Sequence, residues 1–157
     1  MSPDRSHAFG CLEALATGVL AYPGGERLVC DVRLRYTADD PLVVHVVLPD
    51  SEATSGSWAL SRDLLSAGLS GAAGIGDVAV RPVSRENEPL TVEIEVRGSR
   101  AGGAVRLAVG HRALLTYLER SHALVPFGSE ADQGAMDREL ELLLGDAGRS
   151  GEGGLNA

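Results

Sequence analysis

The four histidines are the first candidates for metal ligands or proton-transfer groups, because a neutral imidazole can serve either purpose near neutral pH. His111 and His122 are three helical turns apart, so they can share a helix face but cannot chelate one metal ion. His45 lies inside an apolar run and is expected to be a hydrogen-bonded core residue, while His7 is close to the start of the chain. No H-x-x-x-H or C-x-x-C pair accompanies them. The sequence therefore predicts no metal site.

Asp39 and Asp40 are adjacent acidic residues, and two carboxylates can act as a general acid and a general base. Neighbouring side chains point in different directions, however, and Asp before Pro41 between two strands is common in turns. No serine lies in a G-x-S-x-G elbow, and all 14 basic residues are arginine, which excludes Schiff-base chemistry by lysine. We therefore predict a protein that is not an enzyme, has no cofactor and contains no catalytic residue.

Residues 71–77, with the sequence GAAGIGD, are rich in glycine and could form a phosphate-binding loop. Such a loop needs its glycines after a strand and at the start of a helix, where backbone N–H groups face the anion. These glycines instead follow a predicted helix and precede a predicted strand. The order of elements favours a structural turn.

Several arginines fall on predicted strands and could form a cationic stripe for single-stranded nucleic acid: Arg33, Arg35, Arg81, Arg97 and Arg106. Sheets that bind nucleic acid in this way also expose aromatic rings, whereas only 4% of this chain is aromatic. Glu93 and Glu95 share the outward face of one strand with Arg97. Ion-paired, solvated strand faces are the preferred interpretation, and single-stranded nucleic-acid binding is the alternative.

Alternation of apolar and polar residues is the dominant pattern along the chain and predicts strands. The predicted strands span residues 9–20, 28–36, 42–48, 56–60, 78–81, 91–97 and 105–109. The run at 42–48 is apolar on both sides, so it is expected to be a central strand covered on both faces. Residues 99–103 are expected to form a hairpin loop.

A helical period predicts helices at 62–67, 111–124 and 136–144. Ser61 is the predicted N-cap of the first helix and Gly68 its end. In the second helix, the leucines at 114, 115 and 118 are expected to face the core, with Tyr117 at the margin. The order predicts an α+β fold with mostly antiparallel sheets in two β-rich halves, β₄α and β₃α, and helices packed against them.

The 157 residues carry a net charge of −8, which argues against non-specific binding to nucleic acid or to anionic membranes. Most of this charge lies in residues 129–157. We expect a flexible N-terminus at 1–8, a single domain at 9–144 and a disordered, Gly-rich, acidic tail at 145–157. No apolar run is long enough for a transmembrane helix, so a cytoplasmic location is expected. Cys11 and Cys30 could form a disulfide, but reduced thiols are preferred.

Five segments in order along the chain together resemble the SsgA-like family of actinobacterial regulators of sporulation-specific cell division. They are residues 35–44 (RYTADDPLVV), 58–68 (WALSRDLLSAG), 74–78 (GIGDV) followed by Pro82, 117–121 (YLERS) with 125–130 (VPFGSE), and 137–140 (DREL). The N-terminal residues 1–10, the tail from 145 and Arg81 depart from the family pattern. These departures leave open which paralogue the chain is.

The resemblance implies a small cytoplasmic protein without known catalysis, with a Whirly-like fold and a trimeric assembly. Family members act in the positioning and building of sporulation septa, and at least one recruits the tubulin-like division protein. The chain is accordingly expected to be a non-enzymatic adaptor at division septa, acting through protein contacts in septum placement or spore maturation. Its partner-binding residues are not assigned by the sequence.

Overall fold

The computed structural model describes residues 10–48, 56–98 and 103–128. Eight strands and two helices follow one another as β1 Cys11–Ala21, β2 Arg27–Thr37, β3 Val43–Val47, β4 Ser57–Ser61, α1 Arg62–Ser70, β5 Ala73–Ile75, β6 Val78–Val83, β7 Thr91–Gly98, β8 Gly103–Gly110 and α2 His111–Leu124. The N-terminus predicted to be flexible, most of the hairpin loop at 99–103, the helix at 136–144 and the tail at 145–157 lie outside the described residues.

All eight strands form one antiparallel sheet in the order β4-β3-β2-β1-β8-β7-β6-β5. The α+β class with mostly antiparallel pairing is confirmed. The two halves are not separate sheets, because β1 pairs with β8 through Gly18–Ala21 and residues 106–109. The second half also has four strands instead of three, since the sequence pattern missed the short β5.

Strand alternation places the core on one face of this sheet. Leu20, Val32, Leu34, Ile94 and Leu107 are fully or almost fully buried on this face, together with residues of α1 and α2. Residues at the alternating positions of β1, β2, β6, β7 and β8 point the other way, and we call the surface they form the open face. In the described part of the chain, neither helix covers the open face.

The prediction of a central, doubly covered strand at 42–48 is wrong. β3 lies second from the edge of the sheet, between β2 and β4, and only Val44 and Val46 among its residues are buried. His45 alternates with them and points to the opposite face, where it is partly exposed. It is therefore not the core histidine that the apolar run predicted. Its apolar neighbours Val43 and Val47 are also half-buried, which is why the alternation was hidden in the sequence.

Helix α1 begins as predicted but ends later. The Ser61 hydroxyl accepts a hydrogen bond of 3.2 Å from the Leu64 N–H, which confirms the N-cap. Gly68 does not end the helix, which continues to Ser70 with Gly71 as its C-cap. The absence of a side chain at Gly68 instead lets α1 approach Val80 of β6 closely.

The glycine-rich segment after α1 forms a hairpin between β5 and β6. Ile75 pairs with Val78, so Gly76 and Asp77 make a two-residue turn. Gly76 has a φ of +58°, which glycine adopts without steric cost. The prediction of a structural turn is confirmed, and its glycines do not open a helix.

Helix α2 has the predicted bounds, His111–Leu124, but a different buried stripe. Tyr117 is buried, not marginal, and its hydroxyl donates a 2.8 Å hydrogen bond to the Leu12 carbonyl; its burial raises the pKa of the phenol. Leu115 is only half-buried, while Leu114 and Leu118 face the core. In the described residues, no helix is long and apolar enough to cross a membrane.

The two cysteines lie far apart in the β1–β2 hairpin. Cys11 is opposite Thr37, whereas Cys30 is opposite Gly18, seven residues further along β1. Both are free thiols, as the preferred interpretation predicted. Burial raises the pKa of the Cys30 thiol, which makes it less reactive.

Candidate functional site

A buried arginine joins α1 to the end of α2. Arg62 is 0% exposed, and its Nη1 donates hydrogen bonds to the Ser121 carbonyl at 3.1 Å and the Val125 carbonyl at 2.8 Å. Its guanidinium carbon lies 5.1 Å from the centre of the Tyr36 ring, a cation–π distance. Nothing in the local sequence predicts this burial, because the carbonyl partners are 59 and 63 residues further along the chain.

The position of Arg62 explains why the structure can bury a charge. The last carbonyls of a helix lack intrahelical partners and carry the negative end of the helix dipole. Arg62 supplies both hydrogen bonds and positive charge at this point. Tyr36, below the guanidinium, donates a hydrogen bond of 3.1 Å from its hydroxyl to the Pro41 carbonyl, which fixes the turn between β2 and β3. Within the described residues, Arg62 and Tyr36 are both fully buried, so this junction supports the fold.

That β2–β3 turn contains the two aspartates that could have been an acid–base pair. Asp40 donates its N–H to the Thr37 carbonyl at 3.2 Å, and Val43 donates to the Asp40 carbonyl at 3.4 Å. Asp39 and Asp40 are both exposed. Their prediction as turn residues is confirmed.

The histidines on α2 serve different contacts. His111 Nε2 lies 2.9 Å from the Leu69 carbonyl and links the start of α2 to α1. The His122 ring lies 4.9 Å from the Phe127 ring, at an angle of 42°. His7 lies outside the described residues. Within the described ranges, no three His, Cys, Asp or Glu side chains are grouped so that they could hold a metal ion.

The open face contains the arginines that the sequence singled out for nucleic-acid binding. On β6, β7 and β8 they form a ladder with two glutamates, and we call this group the ion-pair ladder. Its contacts are Arg81–Glu93 at 2.7 Å, Arg97–Glu95 at 3.1 Å, and Arg106 at 2.9 Å from Glu95 and 3.9 Å from Glu93. The preferred interpretation, a paired and solvated face, is confirmed for these residues.

The same arrangement recurs on β1 and β2. Arg33 lies 3.1 Å from Glu13, and both side chains are partly exposed. Arg35 is exposed on the same face of β2. Four of the five predicted arginines are therefore next to a carboxylate, which lowers the positive potential that a phosphate backbone would require.

Glu95 is at the centre of the ion-pair ladder. Hydrogen bonds from Arg97 and Arg106 hold the pKa of its carboxyl below the ordinary value. Because the native pKa is lowered, the carboxylate contributes stability above the ordinary pKa of glutamate. This contribution disappears as the pH falls through the native value.

We expect Glu95→Gln to lower the free energy of unfolding by about 0.5 kcal/mol at neutral pH, because exposed ion pairs contribute little. The difference from the wild type should shrink as the pH is lowered through the acidic range, where Glu95 becomes protonated. Urea unfolding of both proteins over a pH series measures this difference in the free energy of unfolding. Glu119→Gln, on the exposed side of α2, is the control. A difference that grows on acidification contradicts the assignment.

Two large aliphatic side chains stand out from the charged residues of the open face. Leu15 of β1 and Val29 of β2 are each 69% exposed. Val19 lies directly opposite Val29 across the β1–β2 ladder. We call Leu15, Val19 and Val29 the aliphatic strip. The sequence did not single it out, although strand alternation places all three residues on the face opposite Leu20, Val32 and Leu34.

Contiguous apolar patches rimmed by polar residues mark surfaces that contact other proteins, whereas single exposed aliphatic residues occur on any surface. In the described residues, the chain is an antiparallel α+β domain with both helices on one side of its sheet. The family is identified by its sequence: the model described as "Streptomyces sporulation and cell division protein, SsgA" matches residues 30–130. The chain belongs to the SsgA family, as the five segments predicted.

Relatives with curated descriptions agree with this assignment. The chain is 36% identical over 114 residues to the sporulation-specific cell division protein SsgB of Streptomyces coelicolor, a match that covers 73% of this chain and 81% of SsgB. It is 34% identical over 120 residues to SsgB of Kineococcus radiotolerans, covering 76% of this chain and 72% of that protein.

Solved structures show the same fold. A structure of SsgB, from work on longitudinal cell division during sporulation of S. coelicolor, superposes with a TM-score of 0.69 at 31% identity; the match covers 82% of this chain and 98% of that one. An SsgA-like sporulation-specific cell division protein from Thermobifida fusca gives a TM-score of 0.74 at 26% identity, covering 86% and 97%.

Proposed function

We propose that the protein takes part in sporulation-specific cell division as a non-enzymatic adaptor that acts through protein contacts. The names of its SsgB relatives support the process. One structural observation carries the mode of action: Leu15 and Val29, each 69% exposed, stand on a sheet face that no described element covers. The step on which the adaptor acts is septum placement or spore maturation.

The charges of the open face favour a protein partner over a nucleic acid. Arg81, Arg97 and Arg106 are each within ion-pair distance of a glutamate, so the face carries little excess positive charge. A protein partner gains from burying the aliphatic strip, at roughly 25 cal/mol per Å² of apolar surface. Binding of single-stranded nucleic acid by a Whirly-like fold is the alternative, and the paired arginines argue against it.

The proposal extends to partners and location. The partners are components of the cell-division machinery, including the tubulin-like division protein, bound directly or through a paralogue. Residues 9–144 act as one domain, the protein works in the cytoplasm at division septa, and it forms a homo-oligomer, with a trimer as the expected state. It requires no cofactor.

The double variant Leu15→Glu/Val29→Glu tests the proposed surface. We expect it to fold normally, because both side chains are exposed, but to lose partner binding, because buried carboxylates in the contact would lack partners. The readout is septum spacing and spore maturation in a deletion strain that expresses the variant. Light scattering of the pure protein, which has a mass of 16.3 kDa per chain, shows whether the aliphatic strip also holds copies together.

Ile75→Glu is the matched control, because Ile75 is 64% exposed but lies on β5 at the sheet edge, away from the aliphatic strip. It should restore septation as well as the wild type does. Normal spacing of septa and normal spore maturation in the deletion strain itself would refute the proposed process. Normal septation in the double variant would refute the proposed surface alone.

A further inference from the structure

A cleft of about 270 Å³ opens at one end of the open face. Its apolar lining includes Val19 and Ala21 of β1 and Ala108 of β8. Arg27, at the start of β2, and Arg85, in the connection between β6 and β7, line it from opposite sides of these strands. This volume is at the small end of the range for ligand pockets, so it suits one small molecule or one side chain.

Arg27 and Arg85 differ from the arginines of the ion-pair ladder. Among the described residues, neither has a carboxylate within ion-pair distance, whereas Arg33, Arg81, Arg97 and Arg106 each do. Arginine keeps its charge at every physiological pH. The cleft therefore presents two cationic groups whose hydrogen-bonding capacity this part of the protein does not use.

The remaining charges limit which anion fits. Glu88, Glu93 and Arg106 also line the cleft, and Arg106 is already engaged by Glu95 at 2.9 Å. Glu93 is already engaged by Arg81 at 2.7 Å, while Glu88 adds a negative charge on the same connection as Arg85. These carboxylates would repel a dianion such as phosphate more strongly than a single negative charge. A carboxylate matches the planar guanidinium and can accept two parallel hydrogen bonds from it.

We propose that this cleft binds a carboxylate carried on a small apolar body, with Arg27 and Arg85 contacting the carboxylate and Val19, Ala21 and Ala108 contacting the apolar part. The carboxylate belongs to a free small acid or to an acidic side chain of another protein. The inference does not depend on the proposed role in cell division, because it rests on the cleft and its charges.

The test uses the full-length, ¹⁵N-labelled protein and three probes. Hexanoate represents a free small acid, and the blocked tripeptide acetyl-Ala-Glu-Ala-amide represents a protein side chain. The same tripeptide with Gln in place of Glu lacks the charge and should not bind. Saturable shifts of the backbone amide signals of Ala21, Arg27, Glu88 and Ala108 are expected with at least one of the two acids. Binding of hexanoate alone assigns a small molecule, and binding of the Glu tripeptide alone assigns a protein.

The double variant Arg27→Ser/Arg85→Ser should bind the acid at least about tenfold more weakly, since a charged hydrogen-bonded contact is lost at each position. Arg35→Ser is the matched control, because Arg35 is an exposed arginine on the same face of β2, at the other end of the strand. It should leave the affinity unchanged. The proposal is overturned if neither acid gives saturable shifts at the cleft, if the Gln tripeptide binds as well as its Glu counterpart, or if Arg27→Ser/Arg85→Ser binds like the wild type.

Discussion

Replacing Arg62 with leucine is expected to lower the free energy of unfolding by about 3 kcal/mol. The Val125 carbonyl, which lies in a fully buried residue, would lose the 2.8 Å hydrogen bond from Arg62, and the end of α2 would lose its positive charge. The Ser121 carbonyl would keep the bond from the Val125 N–H but lose the one from Arg62. Urea unfolding, followed by far-ultraviolet circular dichroism, measures the change.

Two further variants separate the causes of the expected fall in the free energy of unfolding. Arg62→Lys keeps the positive charge but not the planar group above Tyr36, so it should lose less stability than Arg62→Leu. Arg112→Leu removes an exposed arginine from the first turn of α2 and should change the free energy of unfolding by less than about 0.5 kcal/mol. If Arg62→Leu is no less stable than Arg112→Leu, the junction does not hold the helices together.

Gly68→Ala is expected to destabilise the protein by about 2 to 3 kcal/mol, although alanine is the better helix former. A Cβ atom at Gly68 would overlap Val80 Cγ1, lie 2.6 Å from Val80 Cβ and lie 3.2 Å from the Val80 carbonyl carbon. Because backbone is among these neighbours, rotation of the valine side chain does not remove the clash. Thermal unfolding and urea unfolding both measure this destabilisation.

Gly71→Ala is the control for this prediction, since a Cβ at Gly71 would meet nothing within 4 Å and its backbone is extended. Gly71→Ala should leave the free energy of unfolding almost unchanged. The double variant Gly68→Ala/Val80→Ala is a second test. Removal of the valine methyl groups should relieve part of the clash, so the effects of the two substitutions on the free energy of unfolding should not be additive. Strict additivity would contradict a direct contact between these positions.

Local patterns predicted most of the secondary structure. The alternation in β2 and β7 and the helical period of α2 are complete within their own segments, so they need no knowledge of distant residues. β5 was missed because three residues are too few for a periodic pattern. Gly68 was read as a helix end because glycine is common there, whereas its role is the contact with Val80.

Contacts between distant segments could not be predicted in this way. The burial of Arg62 depends on carbonyls at the end of α2, and the single sheet depends on the pairing of β1 with β8. His45 was assigned to the core because its neighbours are apolar, although alternation in β3 turns it away. Hydrophobicity alone does not say which face of a strand is covered.

For the candidate surface, too, the sequence predicted local features but not the contacts between distant segments. Alternation correctly predicted that Glu93, Glu95 and Arg97 share one face. Arg97 pairs with Glu95 within β7, whereas Arg81–Glu93 and Arg106–Glu95 join residues directly opposite each other on neighbouring strands. Alternation also places Val29 on the outward face of β2, but the sequence does not show that both helices pack on the opposite side of the sheet and leave Leu15 and Val29 exposed.

The pairing of β1 with β8 has a consequence for biosynthesis. During translation, β1, β2, β3 and β4 can pair with one another as soon as they emerge from the ribosome, but one edge of β1 has no partner until β8 is made. Long-range strand pairing of this kind is slow, and an unpaired edge invites association with other nascent chains. The edge of β1 therefore stays open to association with other chains until β8, the last strand of the described residues, pairs with it.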